Sequence, residues 1–600
     1  MEGAHCASNS TPRLVALAAL LTTNGENFFG PLVSPTPVEQ VLDLPHLSTT
    51  STQTANLEVA LQGVVTAFPH DVAVVLNGTA LGDVIFTGQA QGTLSVSIPA
   101  GVLQPGSNTV TLTAQNGEYD TSLVDYVRIT YPHRYLADND ELKFTGRAGD
   151  ELMVSDFTSA PVVLDITDPN RPVELTPQVI TMNGKYEVAV QVPFTAANGA
   201  SPLKHTLLAV ARDRIASAGG VWPNHPSHWH SAQAGADIAM IPDGPFARAL
   251  APLIQAHKAE GKNSAVVPIN DLYDEFNFGE RTPVAIRSFL QTAEQNWKTP
   301  PSYLLLNGRA SLDPRNYLGF GYLDLVPTRI VQSTSLMTAS DDWFSDFTDS
   351  GMPTIPTGRL PVSTLDDATT VVGKIAGYEG QSTNGSWSAN ALMVADTDDT
   401  ENFSGDSLTV QAKLPSTMPV TDVFVDVVGT TAAKTDIINA INSGQGLVNY
   451  LGHGSEEQWS GSDIFDTTSV SSLTNGSQLP VFLTMDCLNG FFQDVYAEPL
   501  GVTLLLASNG GAVAVLASSG LNQSPPQNQL DALVVKNGWN VTGSRLGDVI
   551  VAAKSHITDL DVRRTFNLFG DPAMRVKQSL SQAPGSGAKA PVEAKGLSQR

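Results

Sequence analysis

A chain of 600 residues is too long for one hydrophobic core and must divide into several domains. Its net charge of −26 repels phosphate backbones and argues against a nucleic-acid partner, and no run reaches the ~18 apolar residues a membrane helix needs. Charged residues make up only 15%, below the ~25% of ordinary soluble domains, and 50 Gly with 38 Pro give the turn-rich, neutral composition of β-rich extracellular proteins.

Residues 1–39 contain Arg13 followed by the apolar stretch 14–21, which has the outline of a signal peptide but is not followed by an A-x-A cleavage site. With no clear signal peptide, this segment reads as part of an incomplete domain. Residues 40–133 alternate apolar and polar in short bursts (57–61, 71–76, 93–98), punctuated by Asn77-Gly78 and Asn116-Gly117. That rhythm predicts an antiparallel β-sandwich. A second β-rich module is expected over 134–204, with a turn at Asn183-Gly184.

From residue 205 to 577 apolar strands alternate with helical stretches. Strands are expected at 237–241, 264–269, 303–306, 391–395, 423–428 and 512–517, and helices at 244–260, 283–297, 436–442 and 498–508. The pattern is that of an α/β domain with a mostly parallel sheet. The tail 578–600, rich in Ala, Gly, Ser, Pro and Lys, is expected to be disordered.

Two apolar runs in this domain each end in a reactive side chain: Leu447-Val448-Asn449-Tyr450-Leu451-Gly452-His453-Gly454 and Val481-Phe482-Leu483-Thr484-Met485-Asp486-Cys487. As parallel neighbours they would bring His453 and Cys487 together at their carboxyl ends, where open α/β sheets place their sites. A thiol beside an imidazole is the minimal kit for nucleophilic acyl transfer. The chain has only one other cysteine, Cys6, far away in the sequence, so Cys487 reads as a free thiol. Asp486 should face the opposite side of the strand and serve structure. Glu456 and Trp459, with Glu457, follow the His-Gly turn and are candidates for a substrate cleft. Asp396, Asp398 and Asp399 open an acidic loop that begins like a calcium site, though it lacks the Gly and Glu of an EF-hand. No cofactor is required by this reading, and calcium is at most structural. His225, His228 and His230 fit a surface turn better than a zinc site.

These motifs resemble the gingipain-type cysteine peptidases, relatives of caspases and legumains. The resemblance rests on Tyr450-Leu451-Gly452-His453-Gly454 and Thr484-Met485-Asp486-Cys487. It extends through Asp271-Leu272-Tyr273-Asp274-Glu275-Phe276, residues 283–290, Pro356-Thr357-Gly358-Arg359-Leu360-Pro361 and Leu568-Phe569-Gly570-Asp571-Pro572. It implies a caspase-like fold for 205–577, Cys487 as nucleophile and His453 as general base. It further implies an oxyanion hole from the N–H groups of Gly454 and Cys487. An acid that orients the imidazole is sought among Asp341, Asp342 and Asp346, none of them singled out. Polypeptide substrates follow, with an extracellular or cell-surface location in a bacterium and surface association through the β-modules. A transpeptidase and a non-catalytic binding protein on the same scaffold are the alternatives.

Overall fold

The computed structural model describes residues 4–11, 13–21, 27–195, 199, 203–217, 226–381 and 386–577. The chain separates into two compact units, residues 1–224 with 317–319, and residues 225–316 with 320–600.

Among its described residues the first unit is built of strands, with one 3₁₀ turn at Arg212–Arg214. One antiparallel sheet has the order Ala4–Ser10, Ser122–His133, Asn56–Gly63, Gln91–Ser97, and the other Val38–Leu44, Gly106–Ala114, Pro69–Leu76, Thr79–Thr87. Inward residues alternate along each strand, so that Leu57, Val59, Val72, Val74, Leu112 and Val127 share one core. Asn77 and Gly78 both take positive φ (48° and 81°), as a two-residue hairpin turn demands, and Asn183-Gly184 repeats the device at 52° and 79°. The second module pairs Glu141–Arg147, Lys204–Ala211, Pro161–Asp165 and Val173–Leu175 in one sheet, and Glu151–Phe157, Lys185–Gln191 and Gln178–Met182 in another.

Two expected boundaries move. Ala4–Ser10 pairs along Ser122–His133, with Cys6 opposite Tyr131, so this N-terminal strand belongs to the first sandwich rather than standing apart. Lys204–Ala211 is the second strand in order of its sheet, and its two-residue burial alternation carries the module past residue 205.

The second unit is built on ten strands: β1 (Ile238–Pro242), β2 (Ser264–Val266), β3 (Tyr303–Asn307), β4 (Thr357–Leu360), β5 (Ala391–Ala395), β6 (Val420–Phe424), β7 (Leu447–Leu451), β8 (Val481–Met485), β9 (Ala514–Ser518) and β10 (Phe566–Phe569). Their order is β2-β1-β3-β4-β10-β9-β8-β7-β5-β6, and every pair is parallel except β9–β10. The sheet is therefore two five-stranded parallel halves running in opposite directions. Every residue of β1, β3, β5, β7, β8 and β9 is buried, because helices cover both faces.

The strand expected at 423–428 lies earlier, starting at Val420. It ends at Phe424, and Val425–Val428 winds into a helical turn closed by Gly429 at φ 79°. Helices beyond the sequence reading include Ile269–Asn277, Leu365–Gly380 and Ser524–Trp539. The second starts from a capping box in which Thr364 and Asp367 satisfy each other's amides.

Candidate active site

β7 and β8 are parallel neighbours with Leu451 opposite Met485, and the ladder continues as the Gly452 amide donates to the Met485 carbonyl at 3.3 Å. Extending that register sets position 453 opposite 487. His453 and Cys487 thus leave adjacent strands at the same level of the sheet's carboxyl edge.

Three groups fix the histidine loop. The His453 amide donates to Asp396 Oδ2 at 3.2 Å, and its carbonyl accepts from the Tyr450 hydroxyl and the Ser460 amide, both at 2.7 Å. The imidazole stands edge-on to the Phe403 ring, centroids 5.2 Å apart, and its Nε2 lies 2.9 Å from Asp399 Oδ2. The amide of Glu401 and the imidazole hold the Asp399 carboxyl below the usual carboxylate range. With Nε2 occupied, Nδ1 is the nitrogen left to serve a nucleophile.

Cys487 is half-buried, its Sγ 3.8 Å from the Asn522 carbonyl, and no hydrogen bond joins it to the imidazole. Burial pushes the thiol's pKa up; the Asn522 contact opposes this and Asp486 adds to it. The sulfur therefore rests as a thiol and needs a base to become nucleophilic.

The turn beyond Cys487 is tight. The Asn489 amide donates to the Cys487 carbonyl at 3.0 Å across Leu488, whose φ is +67°, a region costly for a residue with a Cβ. Asn489 then ties this turn to the histidine loop. Its Nδ2 donates to the Ser455 carbonyl at 2.6 Å, and its Oδ1 accepts from Trp459 Nε1 at 2.8 Å.

Gly454 packs against Asp486. A Cβ at 454 would stand 2.5 Å from Asp486 Oδ2, 2.8 Å from Cγ and 2.9 Å from Cβ, so glycine is required there by close approach. Asp486 is wholly buried with neither carboxylate oxygen hydrogen-bonded, and burial raises its pKa well above the usual range. Among the described residues no backbone carbonyl accepts from the N–H of Gly454 or Cys487.

Several expectations need correction. Trp459 does not line a cleft: the short hairpin of Gln458–Trp459 with Phe465–Asp466 folds its indole fully inside, stacked on Tyr450 with centroids 4.4 Å apart. Asp396, Asp398 and Asp399 do not converge on a cation. Asp396 is buried beneath the histidine loop, Asp398 accepts from the Ser404 amide at 2.9 Å, and Asp399 meets the imidazole. The acids sought upstream are structural. Asp341 makes a buried bidentate pair with Arg359 (2.6 and 2.8 Å), Asp342 pairs with Lys554, and Asp346 accepts from the Gly351 amide at 2.6 Å. Glu456 stays half-buried beside Asp494, and burial followed by repulsion from Asp494 lifts its pKa to about 7. His228 and His230 are exposed, His230 pairing with Glu275; His225 lies outside the described residues.

Two of the remaining sequence motifs meet in the sheet's centre. A Cβ on Gly358 would stand 2.2 Å from the Gly570 carbonyl oxygen, so the Gly358-Arg359 and Gly570-Asp571 segments pass in direct backbone contact.

The model of peptidase family C25 matches residues 231–577, more than half of the chain. The chain belongs to peptidase family C25. Gingipain R2 of Porphyromonas gingivalis is 29% identical over 240 residues, covering 37% of this chain and 32% of that protein. The chain thus spans about a third of that curated relative's length. An uncharacterized protein of Archaeoglobus fulgidus is 24% identical over 329 residues, covering 48% of this chain and 74% of its own length. Among solved structures, the Arg-specific cysteine proteinase gingipain R aligns with a TM-score of 0.48 at 20% identity, over 59% of this chain and 80% of the other. The His453 and Cys487 strands both fall inside the family match. Among the described residues no helix is long and apolar enough to cross a membrane.

Proposed function

We propose that the chain is a cysteine endopeptidase in which Cys487 is the nucleophile, His453 the general base and acid, and Asp399 the carboxylate that orients the imidazole. The observation that carries this reading is the shared register of β7 and β8, which sets the two reactive positions side by side within a family C25 domain.

The thiol gives its proton to His453 Nδ1, and the sulfur attacks the scissile carbonyl carbon. The C=O electron pair moves onto oxygen, and the uncommitted N–H groups of Gly454 and Cys487 receive the oxyanion, each donor worth ~3 kcal/mol in comparable sites. Collapse breaks the C–N bond, and the imidazolium passes its proton to the leaving amine. Water, deprotonated by the same nitrogen, then attacks the thioester; the acid product leaves and the thiol is restored. Asp399 keeps Nε2 protonated throughout, so that Nδ1 is the basic nitrogen.

Glu456, half-exposed next to the histidine loop, is proposed to face the polypeptide. The β-modules are proposed to hold the enzyme at an extracellular or cell-surface location. The test is a peptide-library digest with wild type and Cys487→Ala side by side. Cleavage by the wild type alone supports the reading; equal cleavage by both overturns it.

A further inference from the structure

The second cysteine has company of its own. Cys6 on the strand Ala4–Ser10, His133 at the end of Ser122–His133 and Asp138 in the connection to the next module place their ligand atoms within 4.8 Å of one another. His133 is fully buried, and its Nε2 lies 2.9 Å from Asp138 Oδ2. The other ring nitrogen, Nδ1, is held by the Arg134 carbonyl, the arrangement that fixes tautomer and ring orientation in metal-binding histidines. His46 approaches from the loop after Val38–Leu44, its Nδ1 2.7 Å from the second Asp138 oxygen. The loop carrying it is pinned by the Arg134 amide, which donates to the His46 carbonyl at 3.0 Å.

We propose that Cys6, His133 and Asp138 bind a structural zinc ion, with His46 steadying the second oxygen of Asp138. Donor chemistry selects the metal. A thiolate with an imidazole favours zinc over calcium or magnesium, which take oxygen ligands. The three ligand atoms, within 4.8 Å of one another, need small side-chain adjustments to reach the roughly 3.3–3.8 Å that zinc bonds of ~2.0–2.3 Å impose on tetrahedral ligands. The position suits a structural ion, since Cys6 packs against the cores of both β-modules and a metal here would fasten the first strand and the inter-module connection together. On binding, the Cys6 sulfur and His133 Nε2 give up their protons to solvent, while the Nδ1–H stays on the Arg134 carbonyl.

The site is independent of the catalytic reading, and the experiment separates them. Full-length Cys487→Ala protein, which has no catalytic thiol to compete, is stripped with chelator, incubated with zinc ions, desalted and assayed for bound metal. One zinc per chain is expected. Bound zinc should also protect Cys6 from alkylation, and cobalt substitution should give a thiolate-to-metal charge-transfer band. Adding Cys6→Ser or His133→Ala should weaken binding at least about tenfold. Should those variants unfold, the cobalt band and Cys6 protection in the parent decide the matter alone. No zinc retained by the parent, no protection of Cys6, or parental uptake by folded Cys6→Ser protein would overturn the proposal.

Discussion

Gly454→Ala is the perturbation that the geometry of the site resolves most sharply. The new methyl would lie 2.5 Å from Asp486 Oδ2, whereas ordinary contacts begin at 3.4 Å, so about 0.9 Å of movement is needed. Asp486 has little room to yield: its side chain is short and wholly buried, and its own Cβ already stands 2.9 Å from the added atom. Either the His453 turn or the backbone leading into Cys487 must therefore shift. A displacement near 1 Å at reacting groups costs roughly 10²-fold in rate, and kcat/KM should fall by about that factor. Steady-state kinetics on a cleaved peptide, with a thermal melt to confirm folding, measures it. Adding Asp486→Ala removes the two closest atoms and should restore part of the loss. Wild-type kcat/KM in folded Gly454→Ala protein would refute the argument that this contact sets the spacing of the two loops.

Other perturbations bear on the surrounding groups. Asp399→Asn should lower kcat with little change in KM or Tm, and by much less than the ~10⁴-fold seen when a buried triad acid is neutralised, because Asp399 is open to solvent; unchanged kinetics would remove it from the mechanism. Asn489→Ala loses the bonds to the Ser455 carbonyl and the Trp459 indole and should cost about 2–3 kcal/mol in denaturant melts, with kcat falling as the two loops separate. Asp531 is buried, and burial, opposed by the Asn449 amide, raises its pKa from 3.8 to about 7. The folded state thus holds this proton more tightly than the unfolded one, so the contribution to stability is full below pH ~4 and lost as pH rises towards 7. Asp531→Asn should gain on wild type by up to about 4 kcal/mol between pH 4 and pH 8, and parallel stability–pH curves for the two proteins would contradict this.

The parallel half-sheet was legible because β5, β7, β8 and β9 are apolar on both faces and bounded by polar turns, which leaves few other places for such segments. The same legibility brought out His453 and Cys487, since strand ends are where a short apolar run must stop. Asp399 was harder to assign. Its loop follows β5, and only the pairing of β5 with β7, Ala395 opposite Leu451, carries that loop to the imidazole. The family resemblance pointed instead to Asp341, Asp342 and Asp346, whose partners Arg359, Lys554 and the Gly351 amide come from the fold. Trp459 misled for a related reason: an aromatic residue beside a reactive turn suits a cleft until a two-residue hairpin folds it under Tyr450. The α-helix Ser524–Trp539 escaped because two prolines near its start resemble a breaker, although the first turn of a helix tolerates them.

The pairing of thiol and imidazole can be tested without knowing the cleavage preference. A panel of peptidyl electrophiles with varied side chains, followed by mass mapping, reports which sulfur reacts and how fast. The expected result is a thioether on Cys487, none on Cys6, and strongly slowed labelling in His453→Ala protein. Labelling of Cys487 at an undiminished rate without the imidazole, or failure of Cys487 to react with any of the panel, would contradict the account.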